Sequence, residues 1–197
     1  MTPPDLAKSG TEHSHQRALV AWSQIARRYG FIAADDPKSY TEYGYLCQTY
    51  GRNPREEPNP SGRSNRWVDD GGIVAVPELE WLHAIPNGGA RDGFTAASLK
   101  AEGVRRGILD MFLPLPMNAE DNRPGVRCLE YAGLYIEMKR PTSGKGAQRR
   151  QKGSTSEEQD AFIAYARGVG YAVSVCFDWL SASREIIKYV EAVRAAR

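Results

Sequence analysis

The sequence GLYIEMK, residues 133–139, is an apolar run whose only charges, Glu137 and Lys139, lie at its end. A short run of this composition is typical of a strand with both faces buried. Residues two apart on a strand project from the same face, so we expect Glu137 and Lys139 to point the same way. The run therefore predicts a buried strand that ends in an acid and a base.

A second apolar run, GILDMFL at residues 107–113, contains a single charge, Asp110, and is also predicted to be a buried strand. If the two strands lie side by side, Asp110 meets Glu137 and Lys139. Two carboxylates at strand ends can hold Mg²⁺ or Mn²⁺, which polarises a phosphodiester and lowers the pKa of a bound water. The lysine can orient that water or offset the developing negative charge. Together the three residues indicate phosphodiester hydrolysis.

The alternative is an ordinary strand end, at which Asp110 terminates one strand and Glu137 and Lys139 are solvated. An isolated match to so short a pattern favours that alternative. Here, however, the charges lie inside or at the end of apolar strands, where desolvation is costly unless a metal or a partner compensates. The context therefore favours a catalytic site.

The rest of the chain alternates helical and strand patterns. Periodicity and stop signals predict helices over 11–29, 95–102, 156–169 and 181–196, and strands over 79–85 and 171–177. This order indicates an α/β fold with a mixed central sheet flanked by helices. One domain over 1–197 is expected, with irregular insertions at about 31–77, 117–132 and 142–155.

The composition excludes several classes of protein. The chain has 197 residues, 41% of them hydrophobic, which is enough for one core. No stretch approaches the ~20 apolar residues of a membrane helix, and no signal peptide is evident, so a cytoplasmic protein without membrane contact is expected. Cys47, Cys128 and Cys176 lack a CxxC pair, which argues against disulfides and structural zinc.

The net charge of +2 says little about partners, but its distribution is uneven. Six basic residues and no acidic one lie between residues 138 and 156, and we expect them to contact phosphates rather than only solvent: Lys139, Arg140, Lys145, Arg149, Arg150 and Lys152. Asn87, in a glycine-rich turn, and Lys100 are further candidates for nucleic-acid contact. Trp81 and several aromatic residues of the 31–77 insertion could stack on bases or form a small core.

Taken together, the motifs resemble the VRR-NUC branch of the PD-(D/E)XK nucleases, in its compact phage or prophage form. The matching pieces occur in the family's order: EHSHQ at 12–16, IPNGG at 85–89, LKAEGVRRGILD at 99–110, GLYIEMK at 133–139, EQ at 158–159 and GYAV at 170–173. The residue before the key aspartate is usually proline, whereas here it is Leu109. The resemblance implies a restriction-endonuclease-like core.

The resemblance also implies residue roles. Asp110, Glu137 and the carbonyl of Met138 would hold the metal, with Glu12 as an additional acidic group. Lys139 would be the catalytic lysine, and Gln159 would reach into the site. Two of these residues have alternatives. A glutamate in a first helical turn is favourable through the helix dipole alone, and Gln159 forms a capping box with Ser156.

A zinc site at Glu12, His13 and His15 is a weaker alternative than a polar helix start. For the whole protein, the resemblance implies a homodimeric DNA endonuclease for branched substrates such as four-way junctions, active in the host cytoplasm if phage-encoded. Two alternatives stay open. One is an inactive nuclease scaffold that binds nucleic acid, which the intact Asp110, Glu137 and Lys139 disfavour. The other is a sequence-specific restriction endonuclease, for which no base-reading element is identified.

Overall fold

The computed structural model describes residues 2–35, 54–57, 66–69, 75–86, 98, 101–120, 127–141 and 153–196. Its regular elements, in chain order, are α1 (Pro3–Ala7), α2 (Glu12–Asp35), β1 (Pro54–Glu57), β2 (Arg66–Asp69), a 3-10 helix (Pro77–Trp81), β3 (His83–Ala84), β4 (Met111–Leu113), β5 (Met117–Glu120), β6 (Arg127–Tyr131), β7 (Leu134–Met138), α3 (Glu157–Gly168), β8 (Ala172–Cys176) and α4 (Trp179–Ala195).

Four strands form a mixed sheet in the order β3-β4-β7-β8. The pairs β3/β4 and β4/β7 are antiparallel and β7/β8 is parallel, with Met111 opposite Ile136 and Glu137 opposite Val175. The α/β fold with a mixed central sheet flanked by helices is therefore confirmed. The strand that follows Asp110 lies directly beside the strand that carries Glu137, which is the arrangement in which the three charged residues can meet.

One face of the sheet forms the main core. Alternate residues of β4 and β7 are almost fully buried on this face, among side chains of α2 and α4: Met111, Leu113, Leu134, Ile136, Met138, Leu19, Trp22, Ile186 and Val190. Close packing of apolar side chains is the main stabilising term in such a layer. The other residues of these strands, Phe112, Tyr135 and Glu137, project from the opposite face.

The predicted helices are largely confirmed. The first continues to Asp35, but Gly30, the predicted stop, leaves the helical conformation at φ 85° and ψ 168°. α3 follows an N-cap at Ser156, as predicted, and α4 begins at Trp179, slightly earlier than predicted, after the capping residue Asp178. Of the predicted 95–102 helix, the end is described: Glu102 N–H donates to the Ser98 carbonyl at 2.9 Å.

Two predicted strands are shorter than expected. β4 begins at Met111 rather than at residue 107, because Gly107 adopts φ 83° and packs on α3; a Cβ there would lie 2.7 Å from the Glu158 backbone. Asp110 therefore lies at a bend immediately before β4. Within 79–85 only His83–Ala84 pairs with the sheet, since Pro77 starts a 3-10 helix and lacks the N–H that a strand ladder needs.

The prediction that the insertions are irregular was wrong in two places. The 31–77 segment contains the antiparallel hairpin β1/β2, and the 117–132 segment contains the antiparallel hairpin β5/β6. The prolines and asparagines of these segments are residues typical of turns, and they gave no indication of the strands. Residues 142–152 of the third insertion lie outside the described residues. In the described parts of the chain, no helix combines the length and apolar character needed to cross a membrane.

Candidate active site

Asp110, Glu137 and Lys139 converge where β4 begins and β7 ends. Lys139 Nζ lies 2.7 Å from Glu137 Oε1, as expected for residues two apart on one strand. The Met138 backbone N–H donates to Asp110 Oδ2 at 2.8 Å, which holds this carboxylate against β7. The neighbouring strands thus bring together the two acids and the base that the sequence singled out.

The cluster is buried. Glu137 is 1% exposed and the Lys139 side chain 8%. A solvated strand end, the alternative considered from the sequence, would leave both charges in water. Removing a carboxylate and an ammonium from water costs several kcal/mol per ion, and a buried ion pair by itself recovers this cost only when its geometry and remaining hydrogen bonds are good.

Gln159, in the first turn of α3, completes the cluster. Its Nε2 donates to Glu137 Oε1, and its Oε1 accepts from Lys139 Nζ at 2.7 Å. The same Oε1 accepts from the Ser156 backbone N–H at 3.0 Å, while Ser156 Oγ accepts from the Gln159 N–H at 3.3 Å. The capping box and the reach toward Glu137 are therefore not alternatives, because one side chain makes both sets of contacts.

The environment of Glu137 raises the pKa of its carboxyl to about 7. Burial is the largest cause and the charge of Asp110 the next, and together they outweigh the opposing effects of Lys139 and Gln159. Within the part of the chain that the structure describes, Glu137 Oε2 has no hydrogen-bond partner. A buried carboxylate oxygen left without a donor beside a second carboxylate fits a hard cation, which prefers oxygen ligands.

Glu12, at the start of α2, lies next to this cluster. Its Oε1 accepts from the Arg140 backbone N–H at 3.1 Å, one residue beyond Lys139. Gly153 packs on the same contact, since a Cβ there would lie 3.2 Å from Glu12 Oε1. Over the described residues, no three His, Cys, Asp or Glu side chains are grouped to hold a metal. Glu12 thus holds the backbone after β7, and its role as a ligand stays a prediction.

The same finding leaves no support for a zinc site at the start of α2 within the described chain. His13 is exposed, whereas His15 is buried and its Nδ1 accepts from the Trp179 N–H at 3.4 Å. Burial lowers the pKa of His15, against the influence of Asp178. His15 therefore docks α2 on the first residue of α4, a structural contact that the sequence did not indicate.

Of the residues predicted to contact nucleic acid outside the acidic cluster, only Arg140 is described. It is half-buried, and its carbonyl accepts from the Gly153 N–H at 2.9 Å. The others lie outside the described residues: Asn87, Lys100, Lys145, Arg149, Arg150 and Lys152.

Sequence reasoning missed the aromatic row on the face of the sheet that carries the acids. Phe112 lies 4.5 Å from Tyr135 between ring centroids, and both rings contact Tyr171 edge-on. Phe162 of α3 contacts Tyr135 at 5.3 Å. The alternation of side chains along a strand could have predicted this row, since Phe112 is two residues from Asp110 and Tyr135 is two residues from Glu137.

Comparisons with known proteins add little to this geometry. No family model and no curated protein matches the chain. A solved structure described as a VRR_NUC domain protein is similar over 61% of this chain and 75% of its own, with 19% sequence identity and a TM-score of 0.41. A likeness at this score carries no functional argument, so the function has to be inferred from the residues themselves.

Proposed function

We propose that the chain is a metal-dependent nuclease that hydrolyses phosphodiester bonds in DNA. The observation that carries this proposal is the cluster of Asp110, Glu137, Lys139 and Gln159 where β4 begins and β7 ends, in which Glu137 and Lys139 are buried. A carboxylate whose pKa is raised to about 7 by burial beside a second carboxylate is typical of a functional site, because a purely structural role would favour full hydrogen bonding.

The donor set suits Mg²⁺ or Mn²⁺. Asp110, Glu137 and the main-chain carbonyl of Met138 would hold the ion, with Glu12 as a further acidic group close by. When bound, such an ion polarises the phosphodiester and lowers the pKa of an attacking water. Its positive charge would also relieve the repulsion between Asp110 and Glu137 that raises the pKa of Glu137.

Lys139 would act on the phosphate through its own charge. Its Nζ lies 2.7 Å from both Glu137 Oε1 and Gln159 Oε1, so the ammonium has a fixed position before any substrate arrives. A pre-positioned cation in a site from which water is excluded stabilises the negative charge that develops during attack at phosphorus. Gln159 would be a positioning residue, since it contacts the lysine and the acid rather than the substrate.

A cleavage assay with purified variants tests the assignment. With Mg²⁺ or Mn²⁺ and labelled DNA, Asp110→Asn and Lys139→Met should each cut at least ~10²-fold more slowly than the parent, because the first removes a charged ligand of the metal and the second removes a positive charge from the reacting phosphate. Glu130→Gln, an exposed acid on β6, is the matched control and should cut normally. A parent protein that binds DNA but cuts with neither metal would establish the inactive-scaffold alternative.

The finer proposal is that the substrate is branched DNA, such as a four-way junction, cut by a homodimer. Resolving a junction needs two cuts related by an approximate two-fold axis, and a C₂ dimer supplies two identical sites with that relation. Sedimentation would give the mass, and junctions labelled on each strand in turn would give the cuts. A monomer that cuts only one strand contradicts the dimer, and cuts confined to one base sequence indicate a restriction endonuclease.

The basic segment between residues 138 and 156 is proposed to contact phosphates. Replacing Arg149, Arg150 and Lys152 by alanine should weaken DNA binding and reduce the salt dependence of affinity by about 0.9 in log–log slope for each phosphate that the variant no longer neutralises. The rate at saturating DNA should change little. Lys188→Ala, an exposed lysine on α4, is the control. An unchanged slope with unchanged affinity would show that the segment is only solvated.

A further inference from the structure

Trp81 is the most exposed of the large apolar side chains that the structure describes, at 71%. The sequence left two roles open for such aromatics, stacking on bases or forming a small core. Its exposure excludes the core role for Trp81. An indole in water forgoes a large gain in apolar burial, and its aromatic face is available to a ligand that can stack on it.

The neighbouring His83 is also exposed and is held in a defined orientation. Its Nδ1 lies 2.8 Å from the Trp81 carbonyl, which can only accept, so Nδ1 carries the proton. The imidazole ring meets Phe112 edge-on at 5.9 Å and 86°. Phe112 lies tightly over Gly133, where a Cβ would come within 2.7 Å of its ring. The support under His83 is therefore rigid.

His83 belongs to the same face of the sheet as the acidic cluster. His83 lies opposite Phe112 in the β3/β4 register, and Phe112 follows Asp110 by two residues, so the three side chains share one face of the sheet. The Ile85 N–H donates to the Asp110 carbonyl at 2.8 Å. From residue 81 to residue 85 an extended chain covers roughly 13 Å. The distance from Trp81 to the start of β4 therefore corresponds to a few nucleotides at most.

The charges around Trp81 permit a polyanion to approach. The adjacent acids, Glu78 and Glu80, are each paired with an arginine: Arg194 Nη2 lies 2.8 Å from Glu78 Oε2, and Arg27 Nη1 lies 2.5 Å from Glu80 Oε2. Neither carboxylate therefore presents an uncompensated negative charge to a phosphate backbone.

We propose that Trp81 and His83 form a stacking platform for unpaired bases of the nucleic acid whose backbone reaches Asp110 and Glu137. The proposal rests on the nuclease function and narrows its substrate class to branched DNA that carries unpaired bases beside the cut. Stacking on an aromatic face is tolerant of sequence, because every base has such a face. Bases inside an intact duplex are already stacked on each other and gain much less from the platform.

Binding without cleavage tests the platform directly. A chelator is added so that no cleavage occurs. We would then measure the dissociation constants of a labelled single-stranded oligonucleotide and of a blunt duplex of the same length for four proteins: the parent, Trp81→Ala, Trp81→Tyr and His83→Ala. We expect Trp81→Ala to weaken single-strand binding on the order of 5- to 150-fold, the loss of one stacked base, and to weaken duplex binding far less. Trp81→Tyr should keep most of the affinity.

Leu129→Ala is the matched control, since Leu129 is 59% exposed but lies on β6, outside the sheet that carries the acids. Thermal melting would verify that each variant is folded. Equal single-strand affinity for Trp81→Ala and Leu129→Ala would overturn the platform. So would an equal loss of affinity of Trp81→Ala for the single strand and for the duplex. A Trp81→Ala protein with a different sedimentation mass from the parent would also overturn it, because Trp81 would then lie in an interface between copies of the chain. If the parent cuts DNA and Trp81→Ala binds the single strand as the parent does, only the platform is contradicted. If the parent binds no nucleic acid, the nuclease function is contradicted as well.

Discussion

Both faces of β7 carry almost fully buried side chains, but the chemical character of these side chains is opposite on the two faces. Toward α2 and α4, Leu134, Ile136 and Met138 are at most 2% exposed and join the apolar core. Toward α3, Glu137 is just as buried, but it meets Asp110, Lys139 and Gln159. Burial of apolar side chains on the first face stabilises the folded state, whereas burial of a charged side chain on the second face costs free energy. Neighbouring residues of β7 thus have different roles: one stabilises the fold, and the next belongs to the candidate active site.

The largest effect expected from this contrast is on cleavage. Glu137→Gln keeps the shape of the side chain but removes its charge, so cleavage with Mg²⁺ should fall by on the order of 10³-fold or more. Thermal stability without metal at pH 8 should not fall, since the raised pKa of Glu137 shows that its surroundings favour the neutral form even with Lys139 beside it. Rates measured beside Glu130→Gln would check this. Cleavage by Glu137→Gln at the parent's rate would show that the site is misassigned.

The neighbouring residue should show the reverse pattern. Ile136→Ala opens a cavity on the core face and should lower the free energy of unfolding by about 2–5 kcal/mol, or the melting temperature by roughly 4–20 °C. Ile136→Val, which removes one methylene, should cost about 0.5–1.5 kcal/mol. Below the melting transition, both variants should cut at rates much nearer the parent's than Glu137→Gln does. A melt identical to the parent's would contradict the division between the faces.

The contrast also predicts how stability depends on pH in the metal-free protein. The folded-state pKa of Glu137, about 7, lies above the ordinary value of 4.5, so the folded protein binds this proton more tightly than the unfolded chain does. Its contribution is complete below pH 4.5 and is lost as the pH rises through 7, at a cost on the order of 3 kcal/mol at most. The melting temperature of the parent relative to Glu137→Gln should therefore decrease from pH 5 to pH 8.

Added Mg²⁺ or Mn²⁺ at pH 8 should raise the melting temperature of the parent more than that of Glu137→Gln, because the ion would offset the buried charge. A difference between the two proteins that stays constant across this pH range would show that Glu137 does not titrate there.

Much of this contrast could be predicted from the sequence, because it depends on alternation along strands. The apolar run of β7 identified the strand, and its period of two placed Glu137 and Lys139 on one face. The same reasoning failed near Asp110. A run of apolar letters did not reveal that Gly107, pressed against the Glu158 backbone, delays the start of β4. Such contacts join residues about fifty positions apart, and no local pattern encodes them.

The hairpins and the double role of Gln159 were hidden for a related reason. Turn-forming residues in 117–132 suggested irregular chain, whereas Met117 enters the core. Just before this segment, Tyr189 Oη donates to the Leu115 carbonyl at 2.7 Å and holds the chain in place. For Gln159, the capping box was readable from Ser156-x-x-Gln159, but its contacts with Lys139 and Glu137 depend on how α3 sits over β7. Tertiary packing decided both outcomes.

The smallest predicted effect separates the two roles of Gln159. Ser156→Ala removes the N-cap hydroxyl and should cost about 0.5–2 kcal/mol of stability, while the rate of cleavage should change less than about threefold, because Lys139 keeps its contact with Gln159. Gln159→Ala should cost similar stability, since the capping box is again broken. It should also slow cleavage roughly tenfold at saturating DNA with little change in KM, because Lys139 loses the acceptor that fixes it before the substrate arrives. Melting curves and saturation kinetics for the two variants measure both quantities. If both slow cleavage by the same factor, Gln159 acts only through the start of α3, and the face of β7 that carries the acids needs no support from that helix.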